Sequence, residues 1–279
     1  MPIENIPEIY MKTNDAPPEL FVYDFKMSHD VVRSKVNLGM NMFSFLQVGK
    51  KQVHFAGATV AVNKNQSLLL KKGNWLWTEL LDTELIYYCK LLFFSEQKLK
   101  AFLEKHTQNK PATKEEAPYF IIRNDDYISS YLHSLSTINQ SSRAFSEDLL
   151  SVKFEELILY LLQKYGVTFE TYLFSLVRKE TSPFKNIVER NLHSKLKLEE
   201  IAFLCNMSLS TFKRHFIKEY GMTPGKWYQN KRLQKAKELL EQEGVKPSDI
   251  YFDLGYTNLS NFSIAYKNKF GFNPSQTSS

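Results

Sequence analysis

Cysteine is nearly absent. Of 279 residues only Cys89 and Cys205 carry a thiol, and neither belongs to a CxxC pair. A disulfide framework and a thiol zinc site are thereby excluded, and both residues are expected to be buried structural thiols. Long apolar runs are missing as well. Stretches such as Ser67-Leu68-Leu69-Leu70 and Leu91-Leu92-Phe93-Phe94 fall far short of the roughly 20 residues that a bilayer span needs. The opening Met1-Pro2-Ile3-Glu4-Asn5 has neither the basic start nor the apolar centre of an export signal. A cytoplasmic protein without a membrane partner is expected. His29, His54, His106 and His133 lack close ligand spacing, so no metal is expected. There is no glycine-rich phosphate loop, no GxSxG and no HExxH, and Glu155-Glu156 are adjacent residues that point apart on a helix. Neither a cofactor nor an enzyme is the expectation.

What remains is a globular composition, with 43% hydrophobic and 24% charged residues. The net charge of +6 is unevenly placed. Residues 181–279 hold 15 Lys and Arg against 9 Asp and Glu, whereas residues 1–180 hold 21 of each. A neutral body with a basic end points to a polyanion partner for that end, nucleic acid before membrane.

The chain changes period along its length. From about residue 20 to 94 short alternating segments separated by turns predict a β-barrel or sandwich. Asn41–Val48 is one strand, Gln52–Phe55 and Ala58–Val62 form a hairpin turning at Gly57, Trp75–Leu80 is another, and Glu84–Phe93 is a long one. Trp75, Trp77, Phe43, Phe45 and Phe55 are expected to fill the barrel, or to line a ligand pocket in it. From Ser95, a helix cap, to about residue 180 the period becomes helical: Glu96–His106, then Asp125–Asn139, Ser146–Lys164 and Phe169–Lys179. The 3–4 spacing of Leu150, Phe154, Leu157, Ile158, Leu161 and Leu162 marks the third as amphipathic and the first candidate for a dimer surface. Thr181-Ser182-Pro183 breaks the pattern. The expected fold is α+β. Residues 1–180 form a regulatory and dimerisation domain, a β-barrel followed by helices, and residues 182–279 form an all-α DNA-binding domain.

That last third holds two look-alike segments about 50 residues apart, Leu198–Phe216 and Pro247–Lys267. Each reads as a short amphipathic helix, a tight turn and a polar capped helix, that is, a helix-turn-helix. In the first, Ile201, Ala202 and Leu204 pack inward, Ser208 caps, and Phe212 and Phe216 anchor the second helix four residues apart. Ser210, Thr211, Lys213 and Arg214 are left facing out, residue types that read groove edges or phosphates. His215 on the same helix is a further candidate for phosphate. In the second, Gly255 supplies a turn needing positive φ, Phe262 and Tyr266 repeat the anchor, and Ser260, Asn261, Ser263 and Ile264 face out. Pro224–Gln242 reads as one long connecting helix, with Trp227, Leu233, Ala236, Leu239 and Leu240 buried and Lys226, Lys231, Arg232, Lys235 and Lys237 covering the rest. A rigid connector holding the two helices one DNA turn apart, about 34 Å, would let both enter successive major-groove segments.

These residues resemble the AraC/XylS family of bacterial transcription regulators. The landmarks are Leu198-x-x-Ile201-Ala202, Phe212 and Phe216, Tyr220-Gly221-Met222-Thr223-Pro224, and Arg232-Leu233-x-x-Ala236-x-x-Leu239-Leu240. They continue with Ile250-x-x-x-Leu254-Gly255-Tyr256 and close with Asn261-Phe262-x-x-x-Tyr266-Lys267-x-x-Phe270-Gly271-Phe272-Asn273-Pro274-Ser275. The first 180 residues are similar in organisation only, to a cupin-like barrel followed by a helical pair, with a distant likeness to the ExsA-type regulatory domain. The resemblance implies base contacts through Ser210, Lys213 and Arg214, and through Ser260, Asn261 and Ile264. Ile264 departs from the family, several members of which carry Arg there. An isoleucine donates no hydrogen bond but can touch a thymine methyl, so the second unit is expected to bind largely through phosphates, using Asn258 and Lys267. Tyr251-Phe252-Asp253 replaces a smaller stretch and predicts different packing. Double-stranded DNA is the expected partner, with a homodimer and a small-molecule or protein effector at the first domain left open. The rival readings are an enzyme built on the barrel and a DNA binder without sequence preference.

Overall fold

Strands whose residues are apolar at both odd and even positions must be covered on both faces, and this rule organises the first unit. The computed structural model describes residues 2–11, 18–55, 58–107, 118–140, 147–177, 183–192, 194, 196–242 and 245–277. Gly57, Ser146, Lys179, Thr181 and Ser182, invoked above, lie outside the described residues. The chain forms two units, Met1–Pro183 and Phe184–Ser279.

In the first unit β1 (Ile3–Ile6), β3 (Val31–Leu38), β8 (Gly73–Leu80), β5 (Lys50–Phe55) and β6 (Ala58–Val62) form one sheet in the order β1-β3-β8-β5-β6. The other sheet runs β10 (Tyr119–Arg123), β7 (Gln66–Leu70), β4 (Asn41–Val48), β9 (Tyr87–Phe94), β2 (Leu20–Met27). One core lies between the sheets and includes Val36, Val53, Trp75, Trp77, Met42, Leu46, Leu91 and Phe93. The alternate residues of the second sheet, Phe43, Phe45, Leu69, Leu92 and Phe94, pack on helices instead.

Those helices are α1 (Glu96–His106), α2 (Asp126–Gln140), α3 (Glu147–Tyr165) and α4 (Val167–Leu176). Ser95 caps α1, its hydroxyl oxygen accepting from the Lys98 N–H at 2.9 Å. Leu150, Phe154, Leu157, Ile158 and Leu161 form the buried face of α3. Tyr172 of α4 ties it to the sheet, its hydroxyl 3.0 Å from the Leu69 carbonyl and 3.1 Å from that of Pro118. No described helix is long and apolar enough to cross a membrane.

Three expectations are corrected here. The strand expected from Glu84 begins at Tyr87, because Leu85 takes a positive φ of 59° in the preceding turn. Phe43 and Phe45 do not fill the space between the sheets. With both faces of β4 apolar, the period of two puts them on the helix side. β1 and β10 extend the sheets from outside the 20–94 span. Ile3–Ile6 carries no clear pattern of its own, whereas Tyr119–Arg123 is a run of aromatic and β-branched residues whose strand signal was passed over; they pair with β3 and β7.

Cys89 is fully buried, with its sulfur 3.1 Å from the Ser44 hydroxyl, and Cys205 is half-buried. Burial raises both thiols above their ordinary pKa, that of Cys205 to about 12. Since the thiolate is the nucleophile, iodoacetamide at pH 8 is expected to label neither in the native protein and both in denaturant. Native labelling of Cys205 at the rate of a free thiol would contradict this.

Candidate nucleic-acid interface

The second unit contains α5 (Pro183–Arg190), α6 (Leu198–Leu204), α7 (Leu209–Tyr220), α8 (Pro224–Leu240), α9 (Pro247–Ile250) and α10 (Leu259–Phe270). α6 buries Ile201, Ala202, Phe203 and Leu204. It ends in a tight turn in which the N–H groups of Cys205, Asn206 and Met207 donate to the carbonyls of Ile201, Phe203 and Ala202, with Asn206 at φ 57°. Ser208 then caps α7, its hydroxyl oxygen accepting from the Thr211 N–H at 3.2 Å. Phe212 and Phe216 turn inward, both 0% exposed.

The same hydrogen bonds recur in the second half. The N–H groups of Leu254, Gly255 and Tyr256 donate to the carbonyls of Ile250, Phe252 and Tyr251, with Gly255 at φ 78°. Asn258 caps α10, its side-chain oxygen accepting from the Asn261 N–H at 2.8 Å. α7 and α10 both end in a left-handed glycine, Gly221 at φ 69° and Gly271 at φ 86°. Asn206 thus corresponds to Gly255 and Met207 to Tyr256. Thr257 is an extra residue, and beyond it Ser208 corresponds to Asn258, Phe212 to Phe262, Arg214 to Ile264 and Phe216 to Tyr266.

The halves differ in their first helices. α6 has seven residues and α9 four. Buried Phe203 is matched by Phe252, which is 71% exposed, and Ala202 by the bulkier Tyr251. The packing difference expected of Tyr251-Phe252-Asp253 is present.

α8 joins the halves and buries Trp227, Leu233, Ala236 and Leu240. Arg232 does not cover its outer surface, as expected from the sequence, but is half-buried. One of its guanidinium nitrogens lies 2.9 Å from where a Cβ on Gly255 would stand. That glycine is favoured by its φ of 78°, since a Cβ there would displace only the tip of the flexible Arg232 side chain. Lys269 likewise donates to the Asn230 carbonyl. Burial first, then Lys231, lowers its pKa. It tethers α10 to α8.

The expected contact residues fall on two outward faces. On α7, Ser210, Lys213 and Arg214 are exposed and Thr211 is half-buried, receiving a hydrogen bond from the Ser208 hydroxyl at 2.9 Å. On α10, Ser260, Asn261, Ile264 and Lys267 are exposed, as is Asn258 at the cap, while Ser263 is half-buried rather than fully outward. His215 does not face out either. Its ring lies edge-on to Phe184 at 4.4 Å. The helical period brings in residues the sequence reading passed over: Ile217 and Lys218 beside Arg214, and Asn268 beside Ile264, all exposed. Glu219 is the sole acid of α7. Its carboxyl is held below the usual range by a hydrogen bond from Lys185, 3.1 Å away. α10 has no acid. Each face therefore offers donors and positive charge without a competing free carboxylate. Among the described residues no cluster of His, Cys, Asp or Glu could hold a metal ion.

Residues 41–172 match the ExsA N-terminal regulatory domain and residues 201–279 match a helix-turn-helix domain. The chain is 29% identical over 160 residues to the virulence regulon transcriptional activator VirF of Yersinia enterocolitica, covering 57% of this chain and 59% of that protein. It is 28% identical over 130 residues to the HTH-type transcriptional regulator ExsA of Pseudomonas aeruginosa, covering 46% and 47%. The matches thus span about three fifths and about half of those relatives' lengths. The crystal structure of an apo variant of ToxT from Vibrio cholerae aligns over 94% of this chain and 98% of that one, at 14% identity and a TM-score of 0.46.

Proposed function

We propose that this chain, which joins an ExsA-type N-terminal regulatory domain to an AraC-type helix-turn-helix domain, is a sequence-specific DNA-binding transcription regulator acting in the cytoplasm. The observation that carries the reading is the duplicated unit. Two capped helices, set by identical turn hydrogen bonds and joined by one continuous α8, each present an outward face free of unpaired acid. Recognition helices read base edges from their N-terminal turns. That assigns Ser210, Thr211, Lys213 and Arg214 to one groove segment and Ser260, Asn261 and Ile264 to the next, with Asn258 and Lys267 on phosphates.

The first unit senses. A ligand or partner protein that prefers one arrangement of residues 1–180 shifts how the reader meets DNA, by exactly as much as its affinities for the two arrangements differ. α3 is the proposed surface for self-association. Leu149, Val152 and Leu159, exposed by 39%, 62% and 43%, lie on the side opposite its buried face, with Glu156 among them.

The test begins with selection of bound duplexes from a random pool by the full chain. Against the selected site Arg214→Ala is expected to lose about 1–3 kcal/mol of affinity and to relax preference at one position. A gel-shift titration in which affinity and preference both survive would remove Arg214 from the interface. Equal competition by random duplex, with a steep salt dependence, would instead support a binder without sequence preference.

A further inference from the structure

At Arg214's place in the first recognition helix the second carries an isoleucine. Ile264 is 60% exposed and sits at the middle of its helix's outward face. Ser260 and Asn261 precede it by four and three residues, Lys267 and Asn268 follow at three and four, and all four are exposed. A single exposed isoleucine is ordinary on a protein surface. This one stands where a unit with the same turn, the same capping bond and the same anchors presents its guanidinium.

The major groove offers one apolar feature to such a side chain, the 5-methyl group that thymine carries and cytosine lacks. Asn261, one turn earlier, is of the type that pairs with adenine N6 and N7. Arg214 in the other unit suits the O6 and N7 of guanine.

Resting on the DNA-binding reading above, we propose that Ile264 makes the second recognition helix a reader of 5-methylpyrimidines. The two units then require chemically different segments, so the protein lies on its site in one orientation. Because the contact is with the methyl group and not the pyrimidine's hydrogen-bonding edge, 5-methylcytosine satisfies Ile264 as thymine does.

The experiment uses the full chain and the duplex selected from the random pool. Each thymine is replaced in turn by deoxyuridine, which removes only the methyl group, and affinity is measured by gel-shift titration. One or two replacements, confined to one half of the site, are expected to cost about 4-fold each, the worth of burying one methyl-sized group. Ile264→Ala should bind uracil and thymine sites equally, whereas Arg214→Ala should weaken binding and keep the thymine pattern. At the sensitive position 5-methylcytosine should outperform cytosine by a similar factor. If every uracil replacement is neutral, or the pattern persists in Ile264→Ala, the inference is overturned while the regulator reading stands. A pool that yields no preferred site would overturn that reading as well.

Discussion

Phe216→Ala is expected to destabilise the second unit by about 3–5 kcal/mol, the usual cost of deleting a buried phenyl ring. Phe216 is 0% exposed, and its ring centroid lies 5.5 Å from that of Phe212, 4.5 Å from Tyr220, 5.6 Å from Trp227 and 6.1 Å from Phe184. Those rings belong to α5, α7 and α8, so the cavity would open where three helices meet. Small domains have only about 5–15 kcal/mol of stability in total. DNA affinity should therefore fall further than with Arg214→Ala, and for a different reason, since the recognition helix loses its support and not a contact. Calorimetry of the full chain should show a lowered transition, with Phe216→Leu losing less because it keeps part of the volume. A shift worth under about 1 kcal/mol would mean that this cluster is not what holds α7.

Lys51→Met should cost the first unit a comparable amount. Lys51 of β5 and Glu79 of β8 are cross-strand partners, with an Nζ–Oε1 distance of 2.8 Å and side chains 1% and 5% exposed. The Tyr87 hydroxyl donates to the same carboxylate oxygen at 2.8 Å, and the ammonium lies 3.9 Å from the Trp77 ring centroid. These groups converge in the core between the two sheets, where the sequence showed no cluster of acid and base. Removing one partner of a buried pair leaves the other charge uncompensated, at about 3–5 kcal/mol. Replacing the whole set, Lys51→Met with Glu79→Leu and Tyr87→Phe, leaves no orphan and should come within about 1 kcal/mol of the natural protein. Urea unfolding of the single, double and triple variants measures the coupling. An unchanged midpoint for Lys51→Met would show that the pair carries no such energy.

The contrast between these two sites shows what was legible beforehand. Phe216 lies four residues from Phe212, so helical period alone placed it inward. Lys51 and Glu79 are separated by 28 residues, and each is a type normally solvated. No local pattern could pair them. Arg214 and Ile264 were legible as outward for the same reason that Phe216 was inward, whereas Ile217, Lys218 and Asn268 needed only the same period carried one turn further. Arg232 was misread because a cation on a long helix ordinarily faces water, and its contact is with Gly255, on a segment reached only through the α8–α9 connection.

From the amino-acid order alone came most of the helices, the caps at Ser95 and Ser208 and the aromatic anchors, the strand Asn41–Val48, the duplicated turn units and the basic end, but not α5, Pro183–Arg190. All of these depend on neighbours within a few residues, where backbone geometry sets which side chains share a face. Folding in three dimensions decided which apolar face of β4 met helices and which met the other sheet, that Ile3–Ile6 became a strand, that Lys51 found Glu79, and that Arg232 turned inward. Each of those outcomes required a partner distant in the chain, and the free energy of covering a surface depends on what comes to cover it.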